Sequence, residues 1–245
     1  MSEDLLEVVK DGVAVLTMNR PDRLNALSGP MLDVMLEALP RLAESAEAAV
    51  VVLTGAGRAF CAGGDVKAMA EGREFGGTTL EEKAQALRSR MEVSRWLHEM
   101  PKPTIAMVRG AAAGAGLAFA RVGYSGDFGG SFYLTQLVGT AKARELYFTA
   151  DIVDAPQALQ LGLVNRVVPD ARLEEETMAL ATRLGRGPRI AYRYMKRNFN
   201  AAESGPLKDL LDLEAWHHTR CGMTDDHREA VKAFVEKREP VFRGR

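Results

Sequence analysis

Two short glycine-rich stretches set the strongest limits on what this chain can fold into. The first is Ala59-Phe60-Cys61-Ala62-Gly63-Gly64-Asp65 and the second is Gly110-Ala111-Ala112-Ala113-Gly114-Ala115-Gly116. Each follows a run with the signature of a buried strand, Val50 to Thr54 for the first and Thr104 to Val108 for the second, and each opens into a helical pattern. A turn of small residues at the start of a helix leaves backbone N–H groups free. The helix dipole favours negative charge at that end. Two such turns aimed at one point would form an oxyanion hole. Either turn taken singly is ordinary α/β construction, since glycine at a turn supplies backbone freedom whether or not anything binds there.

The rest of the chain reads as α/β. Leu5 to Val9 and Val13 to Met18 are expected as two strands around a turn at Asp11-Gly12. Ser28 to Glu44 reads as a helix, with Ser28 as N-cap and Pro30 in the first turn. Its apolar stripe is Leu32, Met35, Leu36, Leu39 and Leu42. Glu71 to Thr79, with Gly72, Gly76 and Gly77, reads as a mobile loop. Leu80 to Met100 reads as one long helix that stops before Pro101 and Pro103. Four more helices are expected over Glu174–Leu184, Ile190–Asn198, Leu207–Cys221 and His227–Lys237.

Composition excludes several function classes. A net charge of −1 over 245 residues argues against a nucleic-acid or membrane surface as the main partner. Two cysteines, Cys61 and Cys221, are too few for a disulfide framework and suit a reducing, cytoplasmic setting. No apolar run approaches the ~18–20 residues of a membrane span, and the acidic, mixed N-terminus is unlike a signal or transit peptide. The histidines His98, His217, His218 and His227 sit in helical, charged surroundings without metal spacing, so no metal is expected.

With the flanking text, the glycine pair resembles the enoyl-CoA hydratase/isomerase, or crotonase, superfamily. The resemblance begins at Val13 to Pro21 and Arg23-Leu24-Asn25-Ala26-Leu27. It continues through Phe60–Asp65, Pro103–Gly116, Gly129-Gly130, Leu137–Gly139, Ala141–Leu146 and Ala158–Val168, and closes over Asp226–Phe242. It implies a crotonase-type spiral of ββα repeats, with a core over residues 1–168 and a C-terminal helical region over 169–245. It implies an acyl-CoA substrate and no separate cofactor, since coenzyme A is part of that substrate. By residue-by-residue match the oxyanion donors are the backbone N–H groups of Cys61 and Ala115. Coenzyme A would lie along Arg23, Leu24 and Ala26, and along Ala62, Gly63, Gly64, Asp65 and Gly114. Tyr124 and Phe132 would line the acyl pocket. The resemblance also implies a homotrimer or a dimer of trimers. Apolar positions on the C-terminal helices, such as Leu207, Leu210, Leu211, Leu213 and Trp216, agree with buried interfaces.

The chain departs from the family in one place. After Gly116 the family continues through a helix, a core strand and a turn, whereas here Leu117-Ala118 runs directly into Phe119-Ala120-Arg121-Val122-Gly123. On the order of 20 residues are lacking, counting a helix, a strand and a loop of ordinary length. Losing a central strand deprives its neighbours of backbone partners. The expectation is therefore that the numbered chain omits a stretch, with a break between Leu117 and Arg121. The family's two hydratase glutamate positions match Ala118 and Phe119, so neither supplies a carboxylate.

Asp127, in Gly123-Tyr124-Ser125-Gly126-Asp127-Phe128-Gly129-Gly130, is the remaining candidate acid/base. Some isomerases and halobenzoyl-CoA dehalogenases of the family carry an aspartate there. A carboxyl in an apolar pocket has its pKa raised by desolvation, which suits a general base near neutral pH. The competing reading is helix capping, since Asp before Gly-Gly is a good N-cap. Three functions follow from the resemblance: double-bond isomerisation through Asp127, hydration of an enoyl-CoA, or CoA binding with catalysis lost.

Overall fold

A computed structural model describes residues 3–71, 76–112 and 119–245. The β1 strand (Leu5–Lys10) and β2 (Val13–Met18) form an antiparallel hairpin. Its turn residues Asp11 and Gly12 have φ of 51° and 81°. Two positive φ angles give the tight turn that matches strand twist. The β3 strand (Val50–Gly55) pairs in parallel with β2, and β5 (Thr104–Met107) pairs in parallel with β3. The four-stranded sheet therefore runs β1-β2-β3-β5. A second, two-stranded parallel sheet joins β4 (Ala59–Cys61) to β6 (Ala111–Ala112).

The period-two alternation of β2 and β3 gives the main sheet two apolar faces. Ala14, Leu16, Met18 and Val51 face a core built with α1 (Gly29–Glu44). Val13, Val50 and Val52 face the opposite way, onto Ala181 of α7 (Leu173–Gly185). In α1 the Ser28 hydroxyl accepts from the Met31 N–H at 3.2 Å, the expected N-cap. Leu32, Met35, Leu39 and Leu42 are fully buried from its stripe. Both faces of a largely parallel sheet are thus covered, as crossover connections require. Three further helices, α8 (Arg189–Ala202), α9 (Leu207–Gly222) and α10 (Asp225–Glu236), complete a helical C-terminal region.

One expectation is corrected. The single helix over Leu80–Met100 is two helices, α3 (Leu80–Arg90) and α4 (Glu92–Glu99), broken at Met91. The halves have different environments: α3 buries no residue, whereas α4 buries Val93 against the core. Separate burial demands on two short segments are met by a bend that one straight helix could not make. The α3 helix starts with a capping box in which Thr79 and Glu82 satisfy each other's backbone N–H groups. A short helix, α2 (Val66–Ala70), precedes it. Of the loop expected over Glu71–Thr79, residues 72–75 lie outside the described residues.

The break expected between Leu117 and Arg121 falls in part on Leu117 and Ala118, which lie outside the described residues. Phe119–Val122 form a 3-10 turn, and the Tyr124 N–H donates to the Phe119 carbonyl at 3.0 Å. Among the described residues β5 pairs with β3 alone. After the turn, α5 (Gly130–Thr149) is kinked at Gly139 (φ 74°, ψ 162°) and α6 (Ala155–Gln160) is capped by Asp154.

The α1–sheet packing predicts a sharp stability loss on truncation. Leu39 is buried in the α1–sheet core, so Leu39→Ala is expected to lower unfolding stability by about 2–5 kcal/mol, through lost transfer energy and the cavity left behind. Urea denaturation with an unchanged m-value is the measurement that checks it.

Candidate active site

The structure brings the first glycine turn beside the start of the second glycine-rich stretch. Parallel pairing of β4 with β6 sets Ala59 opposite Ala111 and Cys61 opposite Ala112. The approach is close enough to require glycine at Gly110 (φ 60°). A Cβ there would sit 2.1 Å from the Arg58 carbonyl oxygen, closer than any side chain can come. Ala113–Ala118, and with them the expected Gly114 and Ala115, lie outside the described residues.

A buried asparagine ties the first turn to the Arg23–Ala26 segment. Asn25 is 0% exposed and has φ of 56°. Its amide donates to the Ala59 and Ala56 carbonyls at 2.7 and 2.8 Å, and its Oδ1 accepts from the Arg20 N–H at 2.9 Å. The backbones then run side by side: the Ala62 N–H donates to the Leu24 carbonyl at 2.9 Å and the Leu27 N–H to the Gly63 carbonyl at 2.8 Å. The Arg20 guanidinium donates to the Ala26 carbonyl at 2.7 Å and to Asp65 Oδ2 at 2.9 Å. Arg20 holds the Asp65 carboxyl below the usual carboxylate range, and Asp65 also caps α2 through the Ala68 N–H at 3.2 Å. The Asp65 side chain is thus committed to structure, while Arg23 is exposed. The roles of Arg20 and Asn25 were not legible in the sequence, although both lie in the quoted motif. Their partners Ala56, Ala59 and Asp65 are 31 to 45 residues away, and no local pattern encodes that.

Beyond the turns opens a cavity of about 870 Å³. Leu27, Phe60, Met69, Leu87, Leu97 and Phe128 give it apolar walls. Cys61, Ala62, Gly63 and Gly64 line it from the first turn and Ala112 from the second strand. Lys83 of α3 also reaches it, a cation the sequence reading did not single out. The Cys61 thiol is pushed up by burial and accepts from the Gly63 N–H at 3.4 Å, as a packed sulfur does.

Asp127 lies in the same wall. Burial raises its carboxyl from 3.8 to about 6. The surrounding backbone is unusual. Gly126 has φ of 106°, Gly129 of 76°, and Phe128, a bulky residue, of 47°. A non-glycine residue in the left-handed region is strained, and such strain clusters at functional sites. Asp127 does not cap α5: Gly129 occupies the cap position and no side chain bonds there. Its own carbonyl accepts from the Gly130 N–H at 2.9 Å. The capping expectation is therefore corrected; the positive φ at Phe128 and Gly129 turns the chain so that the helix begins two residues later.

Tyr124 and Phe119 line the cavity, but Phe132 is turned away and packs edge-on against Tyr133 at 5.4 Å. His98 pairs with Glu203 at 3.0 Å, and His217 bonds Asn198 and stacks on Tyr194. Among the described residues no group of histidine, cysteine or acidic side chains is placed to hold a metal, and no helix is long and apolar enough to cross a membrane.

Two family models match the chain, both described as enoyl-CoA hydratase/isomerase, one over residues 13–121 and the other over 116–245. They meet where the sequence departs from the family pattern. The chain is 37% identical over 257 residues to a Rhodobacter capsulatus protein named "Probable enoyl-CoA hydratase", covering 97% of this chain and 96% of that one. It is 33% identical over 271 residues to 1,2-epoxyphenylacetyl-CoA isomerase of Escherichia coli K12, covering the whole of both. That alignment exceeds the 245 residues of this chain, so the relative holds stretches with no counterpart here. The solved structure of an enoyl-CoA hydratase from Bacillus anthracis superposes with a TM-score of 0.91 at 28% identity, over 99% of this chain and all of that one. The fold is thus the crotonase fold, mixed α/β with a helical C-terminal region. The chain belongs to the enoyl-CoA hydratase/isomerase family and is an enzyme of that family.

The clasp formed by Asn25 yields a direct test. Asn25→Ala strands two buried carbonyls and one N–H, so it is expected to cost about 2–4 kcal/mol of stability. Chemical denaturation of the variant beside wild type measures it.

Proposed function

We propose that this enzyme moves the double bond of an enoyl-CoA, with Asp127 as the group that takes and returns the proton. The observation that carries the reading is Asp127 itself: a carboxyl in the wall of an apolar cavity, raised to about 6 by burial and flanked by strained backbone. Coenzyme A runs along Arg23, Leu24 and Ala26 and along Ala62–Asp65 and Gly114, with Arg23, exposed and uncommitted to the Asn25 clasp, toward the phosphates. The thioester oxygen sits at the backbone N–H groups of Cys61 and Ala115. Parallel pairing of the strands that precede the two turns supports that arrangement.

The chemistry follows from these parts. The ionised Asp127 removes a proton from the carbon next to the thioester in a 3-enoyl-CoA. The electrons pass to the thioester oxygen and form a dienolate. Two backbone donors stabilise that charge, each worth roughly 3–4 kcal/mol. The protonated carboxyl then returns its proton at the γ-carbon and leaves the conjugated 2-enoyl-CoA. One carboxyl suffices for this transfer, because the same group takes and gives. Hydration needs a second acid/base group, and the matching positions are Ala118 and Phe119. Of the two relatives, one is named an isomerase of an epoxyphenylacetyl-CoA and the other a probable enoyl-CoA hydratase, so the choice of reaction rests on Asp127 and on Ala118 and Phe119.

The family resemblance and the apolar surface of the C-terminal helices support a homo-oligomer, a trimer or a dimer of trimers. Trp216 is 78% exposed and Phe234 86% in the isolated chain, large apolar groups of the kind a partner subunit covers. Sedimentation equilibrium is expected to give a multiple of the 26.7 kDa chain mass; a monomer at micromolar concentration overturns this.

Asp127→Asn is expected to slow isomerisation of a 3-enoyl-CoA about 10²–10⁴-fold, with CoA binding nearly unchanged. Absorbance of the conjugated thioester reads the rate. A variant that keeps full activity, or a wild type that hydrates crotonyl-CoA as fast as it isomerises, would refute the assignment. The pH dependence has a definite sign. The base works ionised, so wild-type kcat/KM falls on the acid side, with a midpoint raised from 3.8 towards 6. Stability moves in the opposite sense, because the folded state binds this proton more tightly than the unfolded chain. The contribution of Asp127 is therefore lost as pH rises from 3.8 through about 6. Asp127→Asn should melt higher than wild type above that window and converge with it below.

A further inference from the structure

One polar group beside the site is unexplained by the reaction as written. The hydroxyl of Tyr147, on the last turns of α5, is buried and bonds to nothing among the described residues. Burying a hydroxyl without a partner costs stability, and tyrosine hydroxyls in protein interiors normally find one. The ring is firmly held. It stacks on Phe119 with centroids 6.3 Å apart and planes at 28°, and it packs against the cluster of Leu134, Ala143 and Leu146. The hydroxyl points at the Asp127 loop: a Cβ built on Gly126 would lie 3.1 Å from it. Gly126 is the residue immediately before Asp127, and its φ of 106° lets the loop pass over the phenol. Tyr147 does not itself line the cavity, whereas Phe119, Gly126 and Asp127 do. The phenol therefore stands behind the wall that Asp127 presents to the acyl chain.

We propose that Tyr147 is a positioning residue whose hydroxyl donates a hydrogen bond to the Asp127 carboxylate and aims it at the carbon to be deprotonated. A turn of the half-buried Asp127 side chain, or one bridging water, spans the remaining gap. The inference rests on the reading of Asp127 as the acid/base.

Two further features agree. The phenol is raised above its ordinary value by burial and by the charge of Asp127, so it stays protonated and can only donate to a carboxylate. The other titratable groups that reach the cavity are Lys83 from α3, Cys61 from β4 and Tyr124 from the loop of Asp127 itself. Tyr147 is the buried, unpartnered donor set behind this carboxyl, on the side away from substrate.

The test is Tyr147→Phe, which keeps the ring and its stack on Phe119 and removes only the hydroxyl. A donor to the ionised carboxylate lowers its pKa. In the free protein, a ¹³C NMR titration of the Asp127 side-chain carboxyl is expected to move upward in the variant relative to wild type. The acid limb of kcat/KM for the 3-enoyl-CoA should move the same way. On the plateau kcat should fall about tenfold with KM unchanged, as expected when a positioned base loses its aim. An unshifted Asp127 titration in a folded Tyr147→Phe overturns the proposal. So does a variant that is simply more stable with an unmoved acid limb, the signature of an orphaned hydroxyl removed. The two readings fail separately. Full activity in Asp127→Asn refutes Asp127 as the base, and the carboxyl titration, which needs no turnover, still decides whether Tyr147 bonds it.

Discussion

The close approach of two backbone segments, at Gly110 and Arg58, is the constraint on which the site depends. The strands β4 and β6 pair in parallel only because the chain at Gly110 can pass within contact of the Arg58 carbonyl, where any side chain would collide. That pairing aligns the first glycine turn with the start of the second. The remaining features serve it. Asn25, buried and bonded on three sides, fixes the segment that runs beside the first turn, and Arg20 ties the same segment to Asp65. Removing the clasp would leave buried carbonyls without donors, so the local geometry is held by hydrogen bonds with no cheap alternative.

Among the described residues β5 pairs with β3 only. The apolar weight of the core lies between α1 and the β1–β3 part of the sheet on one face and α7 on the other. Ahead of the Asp127 loop stands a 3-10 turn at Phe119–Val122. That turn carries Phe119 against Tyr147, joining the active-site loop to the cluster beneath α5.

Asp127 illustrates how a site is set against stability. Its carboxyl would be more comfortable in water, and burial raises its pKa to about 6. The loop that holds it uses three residues in the left-handed or extended positive-φ region, one of them a phenylalanine. Neither feature helps folding. Both agree with the proposed role of Asp127 as a base working near neutral pH.

The sequence by itself determined the elements and the family. The strands β1 to β3, the Ser28 cap and the buried stripe of α1 follow from alternation, capping chemistry and helical period, which are local and therefore written in order along the chain. The glycine stretches and their spacing pointed to the family, and Asp127 was legible as the one carboxyl at a matched position. Tertiary structure decided the rest. It broke the long helix at Met91, because burial of Val93 and exposure of α3 make different demands. It turned Phe132 out of the pocket and brought Lys83 in. It also separated Asp127 from the helix cap, since three backbone dihedrals, and not residue type, decide where α5 begins. The partners of Asn25, Arg20 and Tyr147 lie tens of residues away or across a packed cluster. Such pairings depend on where the chain crosses itself, and no local pattern of residues records that crossing.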